Sequence, residues 1–160
     1  MKGGPNISNL LQISKLDSAL QNKIKTKYES IPKDYVAIHI RNTDYSSNFK
    51  KFHEDHMHLL KNKSIFLATD DYKVVEYFKN IYKDRLFHFS NIPSIIIREK
   101  RGFHYDNKVV SPRTMIEDCI SDFLLCSLGN EYYYSCEKSN FSKNIELVRQ
   151  NNQNLLNTFI

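Results

Sequence analysis

The chain reads as an α/β protein, a Rossmann-like parallel sheet with helices on both of its faces. Three observations predict this. Strand-like and helix-like segments alternate along the sequence in the order α-β-α-β-α-β-α-β-α. Two of the strand candidates, residues 35–41 and 64–69, are almost continuously apolar, as strands covered on both faces are. Helical patterns separate successive strands, which makes parallel neighbours joined by right-handed crossovers the expected topology. With 160 residues the chain has room for one domain with a full core and is short for two, so residues 1–160 are taken as a single domain.

Each element has its own signal. Residues 1–34 form a helical N-terminal extension: Leu10, Leu11, Ile13, Leu16, Leu20 and Ile24 recur at helical spacing within residues 7–30, and Pro32 stops the helix. The first strand is Tyr35-Val36-Ala37-Ile38-His39-Ile40-Arg41. A polar loop over 42–51 leads to a short helix at 53–61, and Ser64 to Thr69 is the second strand. Asp70-Asp71 can cap the next helix, which carries Val74, Val75, Tyr77, Phe78 and Ile81. A weaker third strand spans 85–89, and residues 91–110 read as a flexible basic loop containing Arg98, Lys100, Arg101 and Lys108. Ser111-Pro112 is an N-cap followed by proline at the first helical position. The helix over 112–127 is expected to turn Met115, Ile116, Cys119, Ile120, Phe123, Leu124 and Ser127 inward. Residues 131–135 are the fourth strand, and Ser139 or Asn140 opens a last helix with Ile145 and Val148.

Composition narrows the function classes. The net charge of +5 favours anionic partners without choosing among them. The basic residues are dispersed rather than gathered into a tract, which speaks against a nucleic-acid partner. Salt-sensitive binding of the basic loop, with Phe103 and Tyr105, to a polynucleotide remains the third reading. Cys119, Cys126 and Cys136 make no CxxC pair, so a reducing compartment, the cytoplasm, is expected, with Cys119 and Cys126 as small buried hydrophobes. No apolar run reaches the ~20 residues of a membrane span, and the N-terminus lacks the apolar core of a signal peptide.

The strand ends carry the chemistry. The first strand stops at His39 and Arg41, the second at Asp70 and Asp71, and ligands of open α/β sheets bind at such carboxyl edges. Arg41 offers a planar fork suited to phosphate. Ser139, Asn140 and Ser142 sit where helix amides can hold an anion. Taken singly, Arg41 with Asp44 fits a local ion pair and Asp70-Asp71 a helix cap. Only four glycines are present, and neither GxGxxG nor GxxxxGK[ST] occurs. His53-Glu54-Asp55-His56-Met57-His58 lacks HExxH spacing and reads as a solvated helix start rather than a metal site.

Together these segments resemble the fucosyltransferase superfamily of α1,2-, α1,6- and protein O-fucosyltransferases. His39-Ile40-Arg41-Asn42-Thr43-Asp44-Tyr45 looks like its HxRxxD(Y) motif, and Ile65 to Asp71 like its strand ending in (T/S)DD. Asp122 to Ser127 followed by Ser139-Asn140-Phe141-Ser142 is similar to its third motif. The resemblance spans residues 35–148 and implies the C-terminal, GDP-fucose-binding half of a GT-B glycosyltransferase. It implies that Arg41 binds the pyrophosphate and supports departing GDP, that His39 and Asp122 contact ribose or guanine, that Ser139 or Asn140 meets the β-phosphate, and that Asp70 and Asp71 organise the site. It also implies inverting transfer to a glycan or protein hydroxyl without a metal or cofactor, GDP-fucose being the donor substrate. Two positions depart from the family: Asn42 replaces a second arginine, and Phe49 stands where the α1,6 group is thought to carry its basic glutamate. Asp44, Glu54 or Asp55 is the substitute, or there is none. With only about 30 residues before the donor half, the chain is expected to be a truncated product, a remnant or one part of a split enzyme whose partner chain supplies the acceptor domain. A GDP-binding module without catalysis is the second reading.

Overall fold

The computed structural model describes residues 16–94 and 110–151. The start of the N-terminal helical pattern, and Arg98 to Lys108 of the basic loop, lie outside the described residues. The described elements run α1 (Ser18–Glu29), β1 (Tyr35–Ile40), α2 (Phe49–Leu60), β2 (Ser64–Thr69), α3 (Tyr72–Tyr82), a 3-10 turn at Lys83–Arg85, β3 (Leu86–Phe87), α4 (Pro112–Leu128), β4 (Glu131–Tyr134) and α5 (Asn140–Asn151).

The four strands are all parallel and lie in the order β3-β2-β1-β4. The register aligns Tyr35 with Ser64 and Ile40 with Thr69, and on the other side Val36 with Glu131 and His39 with Tyr134. Chain order therefore runs outward from β1 through β2 to β3, then jumps back to place β4 on the other side of β1. That reversal makes the carboxyl ends of β1 and β4 a topological switch point, where helices on opposite faces diverge and leave a crevice.

Strand alternation divides the core into two layers. Val36, Ile38, Ile40, Ile65 and Leu67 face α2 and α3, packing on Phe52, Leu60, Val74, Val75, Phe78 and Tyr82. Tyr35, Ala37, Phe66 and Ala68 face the opposite way, onto Leu125 and Cys126 of α4 and Ile145 of α5. Helix α1 lies against α4 and α5 through Leu20, Ile24, Leu124 and Val148, with Lys23 and Lys27 paired to Glu117 and Asp118. Two polar anchors fix the second layer. The Tyr35 hydroxyl donates to Leu125 O at 2.6 Å, and the Arg149 guanidinium donates to the carbonyls of Cys126, Ser127, Gly129 and Asn130 at the end of α4.

Several expectations are corrected. Helix α2 begins at Phe49 rather than 53, because Asn48 accepts Lys51 N–H and caps it. The first strand ends at Ile40, which leaves Arg41 free of the ladder and at the edge. The third strand is only Leu86–Phe87, since the 3-10 turn takes Arg85. Ile116 and Cys119 of α4 are exposed rather than inward. The buried residues of α4 are Ser121, Asp122, Leu124, Leu125, Cys126 and Ser127, of which Leu125 and Cys126 pack on the sheet and Leu124 on α1 and α5. All three cysteines are free. No described helix is long and apolar enough to cross a membrane.

Candidate functional site

Two adjoining recesses open at the carboxyl edge of the sheet, and both are lined by Arg41 and Phe141. The inner one, about 90 Å3, lies between the ends of β1 and β2, the residues after β3, and α4; His39, Asp70, Ser90, Asp118 and Asp122 line it. The outer one, about 270 Å3, lies between the loop after β1 and the start of α5, with Asp44, Tyr45, Lys138, Ser139 and Asn140. Continuity of β1 into this edge explains the placement: its last residue on the α4–α5 face, His39, and its first residue beyond the ladder, Arg41, are two apart and reach the same side.

His39 is buried, its Nδ1 2.7 Å from Ser142 Oγ and its ring 4.8 Å from that of Phe141. Burial, helped by the Arg41 charge, pushes its pKa down to about 3, so the imidazole is neutral. Ser142 is fully buried by this contact, and Ser139 Oγ accepts Ser142 N–H at 3.4 Å to cap α5. Both serines thus build the helix start. The first intrahelical bond, Lys143 N–H to Ser139 O, leaves the amides of Asn140 and Phe141 ahead of it, where a helix has donors without intrahelical acceptors. Asn140 itself is exposed at the outer recess.

Arg41 grips Asp44 through Nε at 2.7 Å and Nη2 at 2.5 Å. The pair holds the arginine further above its ordinary pKa, first through the hydrogen bond to Asp44. Two of the five guanidinium donors are used in this way. Asp44, offered by the sequence as a base, has both oxygens on the guanidinium, and a proton taken there would compete with that cation.

Asp70 lines the inner recess, Asp71 lines neither, and both hold the loop after β1. Asp70 accepts from Asn42 N–H at 2.7 Å and from Thr43 Oγ at 2.6 Å. Asp71 accepts from Asn42 Nδ2 at 2.8 Å while capping α3 through Lys73 N–H at 2.9 Å. Asn42 Oδ1 in turn accepts Ser47 N–H. Asn42 is therefore the hub that fixes the loop carrying Asp44.

Asp122 is the residue with least compensation. It is 7% exposed; Oδ2 takes the Ser90 hydroxyl at 2.7 Å, and Oδ1 is buried without a partner among the described residues. Desolvation pushes its pKa up to about 7. Neighbouring Asp118 is better served, by Lys27 and by the backbone and side chain of Asn91. Sequence reasoning missed Ser90, Asn91 and Asp118. The signals were there: 118 and 122 share a helix face, and Ser90 follows a strand at the same edge as Asp70.

Glu54 is exposed on α2, across the sheet from α4 and α5, and lines neither recess. The solvated reading of this segment is corrected at His53. That ring is buried, within 3.0 Å of the Tyr77 hydroxyl and 2.7 Å of the Tyr82 hydroxyl, while His56 stacks on Phe52. Among the described residues no group of three or more His, Cys, Asp or Glu is placed to hold a metal.

The electrostatics of the two recesses differ. The outer one offers Lys138, the start of α5 and an Arg41 whose charge is shared with Asp44 on the same wall, a setting for an anion. The inner one, which Arg41 also borders, adds the carboxylates of Asp70, Asp118 and Asp122 and a neutral imidazole, a setting for an uncharged group rich in hydrogen-bond donors. A ligand with an anionic middle and an uncharged donor-bearing head matches both. Comparison with protein-family models, with curated proteins and with solved structures finds no match to this chain.

Proposed function

We propose that this domain binds a nucleoside-diphosphate sugar across the β1–β4 switch point, and that the donor is GDP-fucose, as the resemblance of the three motifs implies. The observation that carries the reading is Oδ1 of Asp122, without a partner among the described residues, in an inner recess that shares Arg41 and Phe141 with the outer one. The base donates to Asp122 with the neutral His39 beside it. The pyrophosphate lies against Arg41 and the first amides of α5, near Ser139 and Asn140. Asp70 and Asp71 act through the loop they hold. In transfer, an acceptor hydroxyl of a glycan or protein displaces GDP with inversion, and the Arg41 charge stabilises the leaving diphosphate. Neither a metal nor a further cofactor is part of this proposal. Free cysteines support a reducing compartment, and the cytoplasm is the location we propose.

A specific observation favours a second reading, donor binding without transfer. Asp44 is committed to Arg41 and Glu54 lies outside both recesses, so a base must come from elsewhere, such as a partner chain that also supplies the acceptor domain. Incubation with GDP-[14C]fucose and mixed glycan and protein acceptors separates the readings. Labelled acceptor and free GDP, both lost in Arg41→Ala, support transfer by this chain. Donor retained on the protein without turnover supports the binding module. Neither retention nor turnover rejects both.

A further inference from the structure

The Asp122 carboxyl is buried in a recess with one oxygen satisfied and the other bare. Ser90 reaches Oδ2 at 2.7 Å, while Oδ1 has no partner among the described residues. A buried charged oxygen without a donor is costly; donors entering the recess, from water or from a ligand, relieve it, and so does a proton. Both use the same oxygen.

We propose that the nucleotide-sugar site is gated by a single proton on Asp122, the donor being held when the carboxyl is ionised and released when it is protonated. This rests on the donor-binding reading above. The groups around Asp122 set where the gate operates. From α4 itself come Asp118, which disfavours a second negative charge, and the Cys119 and Cys126 thiols. From α1 comes Lys27, whose ammonium is 3.5 Å from Asp118 and is shared with it. The end of β1 offers neutral His39 and an Arg41 tied to Asp44. The end of β2 offers Asp70, committed to Asn42 and Thr43. After β3 stand Ser90 and His88, whose Nδ1 is 3.0 Å from Leu67 O and whose pKa burial lowers. Arg149 of α5 acts on Cys126 from the far end of α4. No cation among these is dedicated to Asp122, so burial prevails and holds the carboxyl up to about 7. Proton and ligand then exclude each other by linkage.

The test is calorimetric titration with GDP-fucose at pH 5.5 to 8.5 and constant ionic strength, in buffers of different ionisation enthalpy. The diester pyrophosphate of a nucleotide sugar has no group titrating in this range, so the probe is silent. Expected are constant affinity above the gate, a loss approaching about ten-fold per pH unit below it, and buffer-dependent heats reporting one proton released on binding at pH 6. Asp122→Asn should bind weakly, with no pH dependence. Binding at pH 8.5 that persists unchanged to pH 5.5, or that releases no proton at pH 6, overturns the gate and leaves the donor site standing. Absence of binding at every pH by folded protein rejects the donor site, and the gate with it. If Asp122→Asn fails to fold, the buffer heats of the unmodified chain decide alone.

Discussion

The His39 ring and the Ser142 hydroxyl, 103 positions apart in sequence, meet at 2.7 Å and tie the end of β1 to the first turn of α5. This bond crosses the switch point. It orients the imidazole that lines the inner recess and fixes the helix start that forms the outer one, so one contact sets the geometry of both.

Ser142→Ala is expected to destabilise the fold by about 1–3 kcal/mol, since it strands a ring nitrogen that is cut off from water. Urea denaturation measures this. A loss below 0.5 kcal/mol would mean that the ring finds another partner.

His39 also makes the fold sensitive to acid. Its folded pKa, lowered by burial to about 3, lies below the unfolded value near 6.5. Its contribution is therefore complete above about pH 6.5 and is lost as pH falls toward 3. The melting temperature of His39→Gln should fall less steeply than that of the parent between pH 6 and 4. Parallel curves would contradict the assignment.

Gly129 sits between α4 and β4 where a side chain does not fit: an added Cβ would lie 2.9 Å from Ala37 Cβ and 3.2 Å from Ala37 N. Gly129→Ala should cost about 1–3 kcal/mol by overpacking. Ala37→Gly in the same chain removes only the Cβ clash, so thermal denaturation should show partial rescue.

Arg149 holds four carbonyls at the end of α4 with a half-buried guanidinium whose pKa burial lowers. Arg149→Met keeps much of the apolar stem and removes the donors. Bonds to a charged donor are each worth about 1.5–3 kcal/mol, so a loss of at least that size is expected in equilibrium unfolding. A neutral result would show that water serves these carbonyls equally well.

The order of elements was legible because apolar runs such as 35–40 and 64–69 have one use in a chain of this size, strands covered on both faces. The recesses were legible where they follow strands: His39, Arg41 and Asp70 line them. What sequence could not resolve is where a short polar side chain spends its bonds. Asp71 and Asn42 look like ligand groups by type, yet they satisfy each other and the loop. Glu54 is near Arg41 in sequence, but α2 carries it to the other face of the sheet. His53 sits in a polar run, and only packing against Tyr77 and Tyr82 from α3 reveals it as buried. Asp118 and Ser90 were missed because they join the site through a crossover.

Isothermal titration of the chain and its Arg41→Ala variant with GDP, GDP-fucose, GDP-mannose and UDP-N-acetylglucosamine at pH 8 tests the central claim most directly. The account predicts binding confined to guanine nucleotides and weakened about ten-fold or more in the variant, the loss of a charge-assisted phosphate contact. Equal binding by the two proteins, or none by the folded parent chain, would contradict it.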